Sequence, residues 1–366
     1  MEQLWKASYN GDIETVKQII KGGFDVDTIV AEYESFTGLH AASMGGHAEL
    51  VKFYIDNGAD VEAESYPQGE AHTAIFLAAI EGHVNVVKIF IDNGADVNAL
   101  GEEGETLLYY ACEYTHPSLV EYLISVGADV NKKGRYGQAP LNVKHNYGSY
   151  EEGEREEIFN LLINNGADVN TKNQYGETPI FDAVKKNNKK KITELIKHGA
   201  DINIVNTQQK NLAFHALECF EDVKTIEMLI KNGINLKLRN GKGETLLHIA
   251  SRENYLETAQ LFINNGLNVN DICHEGQAPL HEASITGTGE IVKLLVNNGA
   301  NVNLADAWGC TPLYFAAERG YTEIVRFLLK HGANPHAKTI SGKTPLKTIV
   351  KDGCDVIARM LIHSEK

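Results

Sequence analysis

Residues 306–335 read DAWGCTPLYFAAERGYTEIVRFLLKHGANP, and this stretch decides the fold. Pro312 indicates the start of a first helix, because proline is favoured in the first helical turn, where its missing N–H needs no acceptor. A second helix is predicted after Gly320, and Gly332 can take the left-handed conformation that ends it. Apolar residues at helical spacing give this second helix one buried face: Ile324, Val325, Leu328 and Leu329.

The end of this stretch recurs along the chain at a nearly constant interval. The sequence Gly-Ala-Asp-Val-Asn, or a close variant, begins at nine glycines: Gly58, Gly94, Gly127, Gly166, Gly199, Gly233, Gly266, Gly299 and Gly332. The interval is 33 or 34 residues, except for 36 after Gly58 and 39 after Gly127. Such a period indicates one repeated supersecondary unit, in which each copy is too small to bury its own apolar face and packs against its neighbours.

These motifs resemble the ankyrin repeat, whose family pattern opens with Thr-Pro-Leu-His and closes with Gly-Ala-Asp-Val-Asn. Matching openings occur in several copies: TGLHAA at 37–42, ETLLHIA at 244–250, APLHEA at 278–283 and KTPL at 343–346. The resemblance covers the whole chain and implies an all-α solenoid of eleven stacked antiparallel helix pairs with β-hairpin-like finger loops. Fingers and first helices would together line a concave face. We expect one domain over residues 1–366, with capping repeats at about 1–34 and about 340–366.

Composition restricts the classes of function. The net charge is −15, and residues 1–157 hold 27 acidic against 10 basic side chains. This acidic half suits either solubility alone or a basic partner, and it argues against nucleic-acid binding. No apolar run reaches the roughly 18 residues of a membrane-spanning helix, so membrane insertion is not expected. The start of the chain shows no signal peptide, and five cysteines without a CxxC pair predict reduced thiols and a cytoplasmic location.

No motif for a catalytic, cofactor or metal site is complete, so none of the three is expected. The GKT of residues 342–344 lacks the preceding glycine of a phosphate-binding loop, and the two His-Glu pairs lack the second histidine of a zinc site. The resemblance instead assigns most histidines to structural positions of the repeat: His40, His215, His248 and His281 in Thr-Pro-Leu-His, and His47, His83 and His116 at the Gly-His position between the helices.

Departures from the period mark the irregular copies. About six extra residues fall in 147–157, and Lys144 and His145 replace the two small alanines of the repeat. We expect this insertion to project as a longer loop between the two helices, either as tolerated drift or as a functional loop. An enzyme site in the irregular repeat 138–165 is a remote alternative. The copy around 211–215 lacks the turn glycine and the proline, which predicts the least regular joint.

The variable finger and first-helix positions predict the partner-binding surface. Tyrosine, tryptophan and arginine most often dominate interface energy, and a ring at a finger tip contributes little to the fold. The acidic residues among these positions predict a basic or arginine-bearing protein partner. The alternative for Tyr136 and Tyr175 is packing between fingers. The predicted contacts are Glu102, Glu103, Glu105, Tyr110, Glu113, Tyr114, Arg135, Tyr136, Gln174, Tyr175 and Trp308.

The resemblance predicts a non-catalytic scaffold, an adaptor or inhibitor that is monomeric and binds a protein partner in its concave groove. The alternative is a secreted effector of an intracellular bacterium or parasite that binds a host protein and is delivered into the host cytoplasm. Three asparagines with a leucine eight residues before them also resemble the sites of asparaginyl hydroxylases: Asn131, Asn170 and Asn303. The alternative is that these asparagines only bond the hairpin backbone.

Overall fold

The computed structural model describes residues 2–29, 36–65, 72–134, 137–143, 152–219, 221–349 and 355–363. Within these ranges, regular structure is almost entirely helical, as the repeat pattern predicts. The α-helices are α1 (Glu2–Tyr9), α2 (Ile13–Lys21), α3 (Gly38–Met44), α4 (Ala48–Asp56), α5 (Ala74–Ile80), α6 (Val84–Asp92), α7 (Leu107–Glu113), α8 (Pro117–Ser125), α9 (Glu152–Asn164), α10 (Pro179–Lys185), α11 (Lys189–Lys197), α12 (Leu212–Cys219), α13 (Val223–Lys231), α14 (Leu246–Arg252), α15 (Leu256–Asn264), α16 (Pro279–Thr286), α17 (Gly289–Asn297), α18 (Pro312–Arg319), α19 (Thr322–Lys330) and α20 (Asp355–His363). Two short 3-10 helices span Pro140–Asn142 and Pro345–Thr348.

The chain divides into two compact units, Met1–Pro179 and Ile180–Lys366. In the first unit, α1, α3, α5 and α7 pack against one another in order, and the 3-10 helix Pro140–Asn142 packs on α7. In the second unit, α12, α14, α16 and α18 pack in order, and the 3-10 helix Pro345–Thr348 packs on α18. Each unit is therefore a stack of helical repeats. The assignment of residues 1–366 to a single domain stays a prediction.

Eleven repeats are represented in the described segments, as predicted, and nine of them contain two α-helices. In the other two, the described part of the first-helix segment forms a 3-10 helix, and α9 or α20 is the second helix. The loop predicted at 147–157 is partly wrong, because residues 152–157 belong to α9, which has 13 residues where α8 has 9. Glutamate and arginine are good helix formers, so this part of the insertion extends a helix. Residues 144–151, which include Lys144 and His145, lie outside the described residues.

One finger carries a short antiparallel ladder of two strands, β1 (Glu64–Ser65) and β2 (His72–Thr73). Glu64 lies opposite Thr73, and Ser65 lies opposite His72. This finger is the one that the 36-residue interval lengthens. The ladder is the only sheet in the described part of the chain, so the fold is all-α with a single strand-like finger.

Buried histidines connect first helices to the fingers that follow them. The backbone N–H of Thr245 donates to His248 Nδ1 at 3.1 Å, and His248 Nε2–H donates to the carbonyl oxygen of Gln277 at 2.9 Å. His40 and His281 make the same two kinds of contact in their own repeats. Burial lowers the pKa of His248 to about 4, so its ring is neutral near neutral pH. The structural role predicted for these three histidines is confirmed.

The assignment of His215 to the same position is wrong by one residue. Asn211 is the cap of α12, because its side-chain oxygen accepts hydrogen bonds from the backbone N–H groups of Ala213 and Phe214 at 3.1 and 3.3 Å. Phe214 therefore occupies the histidine position. The finger before this helix keeps its turn without a glycine, because Gln209 adopts a φ of +60°. The joint is thus more regular at its turn than the sequence suggested.

Candidate functional site

The acidic finger at residues 101–105 is a closed turn. The Gly101 N–H donates to the carbonyl oxygen of Glu105 at 2.7 Å, and the Gly104 N–H donates to the carbonyl oxygen of Gly101 at 3.0 Å. Glu102 and Glu103 lie exposed at the tip of this turn, as predicted. Two backbone hydrogen bonds therefore fix the backbone of the turn whose tip carries two exposed glutamates.

Glu105 lies at the base of the finger, and its predicted exposure is wrong, because only 2% of the residue is exposed. The next finger covers it. A Cβ added at Gly134 would lie 3.2 Å from Glu105 Cα and 3.0 Å from Tyr109 Cδ2. A Cβ at position 134 would need these atoms to shift by a few tenths of an ångström, so the next finger lies close over Glu105 and shields it from a partner.

Tyr110 is also buried, at 5% exposure, although the first-helix position predicted an exposed ring. Four rings surround it, with centroids 5.6 Å away in His72, 5.9 Å in Phe76, 6.0 Å in Tyr109 and 6.3 Å in Tyr114. We call these five side chains the aromatic cluster. The preceding repeat supplies two of the covering rings, and a single repeat read by itself does not reveal them. Tyr110 therefore supports the surface and does not form it.

Tyr114, at the end of α7, is partly exposed, and so is Glu113. Tyr114 contacts the ring of Tyr110 at one side. These two residues place one ring and one carboxylate at the edge of the aromatic cluster. Of the predicted first-helix contacts, they are the ones that a partner can reach.

The finger at residues 173–177 displays the second reachable tyrosine. Asn173 Oδ1 accepts hydrogen bonds from the backbone N–H groups of Tyr175 at 2.9 Å and Glu177 at 3.0 Å. Tyr175 is 49% exposed, and Gln174 beside it is exposed. About half of the Tyr175 residue is therefore accessible to a partner. Two further predicted contacts, Arg135 and Tyr136, lie outside the described residues.

Trp308 occupies a finger of the second unit and is 51% exposed. Asp306 Oδ1 accepts hydrogen bonds from the backbone N–H groups of Trp308 at 2.9 Å and Cys310 at 2.8 Å. The carbonyl oxygen of Trp308 accepts from the Ile340 N–H of the next finger at 2.8 Å, and Ile340 is 80% exposed. Sequence reasoning missed Ile340, although its place two residues before the turn glycine Gly342 is a finger position.

The asparagines predicted as hydroxylation sites hold neighbouring repeats together. Asn131 Nδ2 donates to the carbonyl oxygen of Gly166 at 3.0 Å, and Asn131 Oδ1 accepts from the Asp168 N–H at 2.7 Å. Asn303 makes the same pair of bonds to the following repeat. The hairpin-bonding alternative is therefore observed for both residues. Hydroxylation of these residues and of Asn170 stays a prediction.

The described segments contain no cluster of three or more His, Cys, Asp or Glu side chains placed to hold a metal ion. Burial raises the pKa of the Cys112 thiol above its ordinary value and that of Cys310 to about 11, so both are poor nucleophiles. Among the helices in those segments, none has the length and apolar character needed to cross a membrane. Within the irregular repeat 138–165, residues 144–151 lie outside the described ranges.

Comparison with known proteins places this arrangement in a family. The family model "Ankyrin repeats (3 copies)" matches residues 4–99, 39–134, 148–240, 214–306 and 290–366. The ankyrin repeat domain-containing protein 39 of Homo sapiens is 34% identical over 63 residues, which are 17% of this chain. The match spans about a third (33%) of that relative's length. Ankyrin repeats are protein-interaction scaffolds and are typically non-enzymatic. The chain belongs to the ankyrin-repeat family.

Proposed function

We propose that the chain is a non-catalytic adaptor or inhibitor that holds a protein partner against the fingers and first helix of residues 102–175. The observation that carries this proposal is the closed finger at 101–105, which displays Glu102 and Glu103 on a hydrogen-bonded turn. Because the finger is ordered before binding, little conformational entropy is lost when a partner docks.

A basic or arginine-bearing partner suits this surface. Carboxylates attract the cation over a distance, and a tyrosine face attracts it at contact. Exposed ion pairs contribute little individually, so we assign most of the affinity to Tyr114 and Tyr175 and the salt-dependent association rate to Glu102 and Glu103. Tyr110 supports Tyr114 from within the aromatic cluster.

We further propose that the protein is a cytoplasmic monomer. Five cysteines without a CxxC pair suit a reducing compartment. A secreted effector that acts in a host cytoplasm is the second candidate. The Asn- and Lys-rich segment at 187–191 favours it, because such a texture is typical of an A/T-rich genome.

The experiment is an affinity capture from lysates of the protein's own species and of host cells. The bait is the full chain, and the matched control bait is Tyr114→Ala/Tyr175→Ala. The proposal predicts a protein retained by the parent bait and lost with the control bait. Capture from the host lysate alone would support the effector role. Equal capture by both baits would contradict the proposed surface.

A further inference from the structure

One guanidinium in the second unit faces three carboxylates. Arg252, at the end of α14, lies with Nη1 2.7 Å from Glu244 Oε1 and with Nε 3.4 Å from Glu253 Oε1. The same Nη1 lies 3.7 Å from Glu282 Oε1 on α16. We call these four residues the Glu282 cluster. Its own side chains carry two more negative charges than positive ones.

The three carboxylates are not equally satisfied. Glu244 accepts hydrogen bonds at both oxygens, from Arg252 Nη1 at 2.7 Å and from Asn240 Nδ2 at 2.7 Å. The Glu282 side chain is only 10% exposed, yet among the described residues its carboxylate accepts no hydrogen bond, and Arg252 approaches it only to 3.7 Å. The Glu282 carboxylate is thus less completely paired than that of Glu244 and has capacity for a further cation.

The neighbouring repeats show how a charged side chain in this region is paired with an opposite charge. In the repeat of α12, Lys210 Nζ lies 2.7 Å from Glu218 Oε1. The corresponding positions of the next repeat hold the glutamate–arginine pair of the cluster, with the two charges exchanged. In the repeat of α16, these positions are Gln277 and Ile285, which carry no charge. Glu282 therefore has no cation at either of these two positions of its own repeat.

Burial raises the pKa of Glu282, and neighbouring carboxylates raise it further while two cations oppose them. The charged groups that act on Glu282 are Arg252, Glu244, Glu275 and Lys242. Of the other elements packed against α16, α17 carries Glu290 and Lys293, which pair with each other, and α18 carries Glu318 and Arg319. The Thr348 hydroxyl donates to Glu318 at 3.3 Å. The surroundings favour a further cation.

We infer that the Glu282 cluster binds the guanidinium of an arginine side chain from a protein partner. Guanidinium N–H groups supply the donors that Glu282 lacks, and a planar fork matches a carboxylate. Phe315 is partly exposed and holds the position in α18, the helix packed against α16, that Glu282 holds in α16. This inference rests on the proposed function only in taking the ligand to belong to a protein.

The test uses the full chain with labelled glutamate carboxyl carbons and backbone nitrogens, titrated with N-acetyl-arginine amide and followed by NMR. The expected result is a shift of the Glu282 carboxyl signal and of the α16 amides, together with a lower pKa of Glu282 in the presence of the probe. The uncharged analogue N-acetyl-citrulline amide, at matched ionic strength, is expected to produce neither change. Equal shifts with citrulline would overturn the inference, and equal binding of N-acetyl-lysine amide would overturn the assignment to arginine.

A variant pair locates the binding. Glu282→Gln should raise the dissociation constant of the arginine probe at least about tenfold. The control Glu290→Gln, an exposed residue of α17 that pairs with Lys293, should bind like the parent. Retained affinity in Glu282→Gln would refute the site. The pKa measurement on the parent protein decides the matter even if the variant folds poorly. Because the probe is a small molecule, its failure leaves the surface at residues 102–175 untouched.

Discussion

Truncation of Leu328 to alanine tests the repeat architecture. Leu328 lies in α19, is fully buried, and shares the core face of this helix with Ile324 and Val325. The change removes three side-chain carbons, each worth about 0.8 kcal/mol of transfer free energy. With the cavity that remains, the free energy of unfolding should fall by about 2.5–4 kcal/mol.

The loss should be local, because stacked repeats contact only their neighbours. α19 packs against α17, α18 and α20. Hydrogen exchange followed by mass spectrometry should therefore show faster exchange in α17–α20, while α3 and α4 of the first unit stay as in the parent.

The matched control is Leu329→Ala, which makes the same chemical change at the next residue. Leu329 is only partly buried, so its truncation should cost less than that of Leu328. Equal acceleration of exchange in every repeat would refute the nearest-neighbour reasoning. An equal cost for the two variants would refute the placement of the core face.

Three further predictions concern protonation, backbone conformation and modification. Burial lowers the pKa of His248 from 6.5 to about 4, so the folded state takes up this proton only at a lower pH than the unfolded state does. The free energy of unfolding should therefore fall by about 1–3 kcal/mol as the pH drops from 6.5 to 4. Urea titrations of the parent and of His248→Gln should show a smaller pH dependence in the variant. Gln209 has a φ of +60°, so Gln209→Gly should raise the free energy of unfolding by about 0.5–1 kcal/mol. Gly309 has a φ of +78° and lies against the next finger, so Gly309→Ala should lower the free energy of unfolding by at least about 1 kcal/mol. Incubation with an active asparaginyl hydroxylase should add the mass of one oxygen atom at one or more of Asn131, Asn170 and Asn303. Peptides of unchanged mass at all three sites would contradict this prediction.

The repeat period predicted the fold because the copies share the same signals for helix ends and for buried helix faces. Glycine follows the second helix in every copy except the last, and apolar stripes mark the faces that must be buried. Side-chain exposure could not be predicted in the same way. Tyr110 and Glu105 sit at positions that vary between repeats, and elements of neighbouring repeats cover them.

The error at His215 has a different cause. This copy lacks a Thr-Pro opening, so its alignment with the repeat rested on the histidine. The start of the helix is set instead by the cap at Asn211, one residue earlier than that alignment implies. A signal for the preserved turn was present. Asn206 stands three residues before Gln209, as Asp306 stands before Gly309, and its Oδ1 accepts from the backbone N–H groups of Gln208 and Lys210 at 3.0 and 3.1 Å.

The central claim is that reachable tyrosines of residues 102–175 hold a protein partner. Its most direct test is the equilibrium dissociation constant of the captured partner, measured by calorimetry for the parent, Tyr114→Ala/Tyr175→Ala and Trp308→Ala, with circular dichroism to verify folding. The account predicts that the tyrosine double variant binds at least about tenfold more weakly, a loss of about 1.4 kcal/mol, while Trp308→Ala binds like the parent. Parent-like binding of the tyrosine variant together with loss of binding in Trp308→Ala would contradict it.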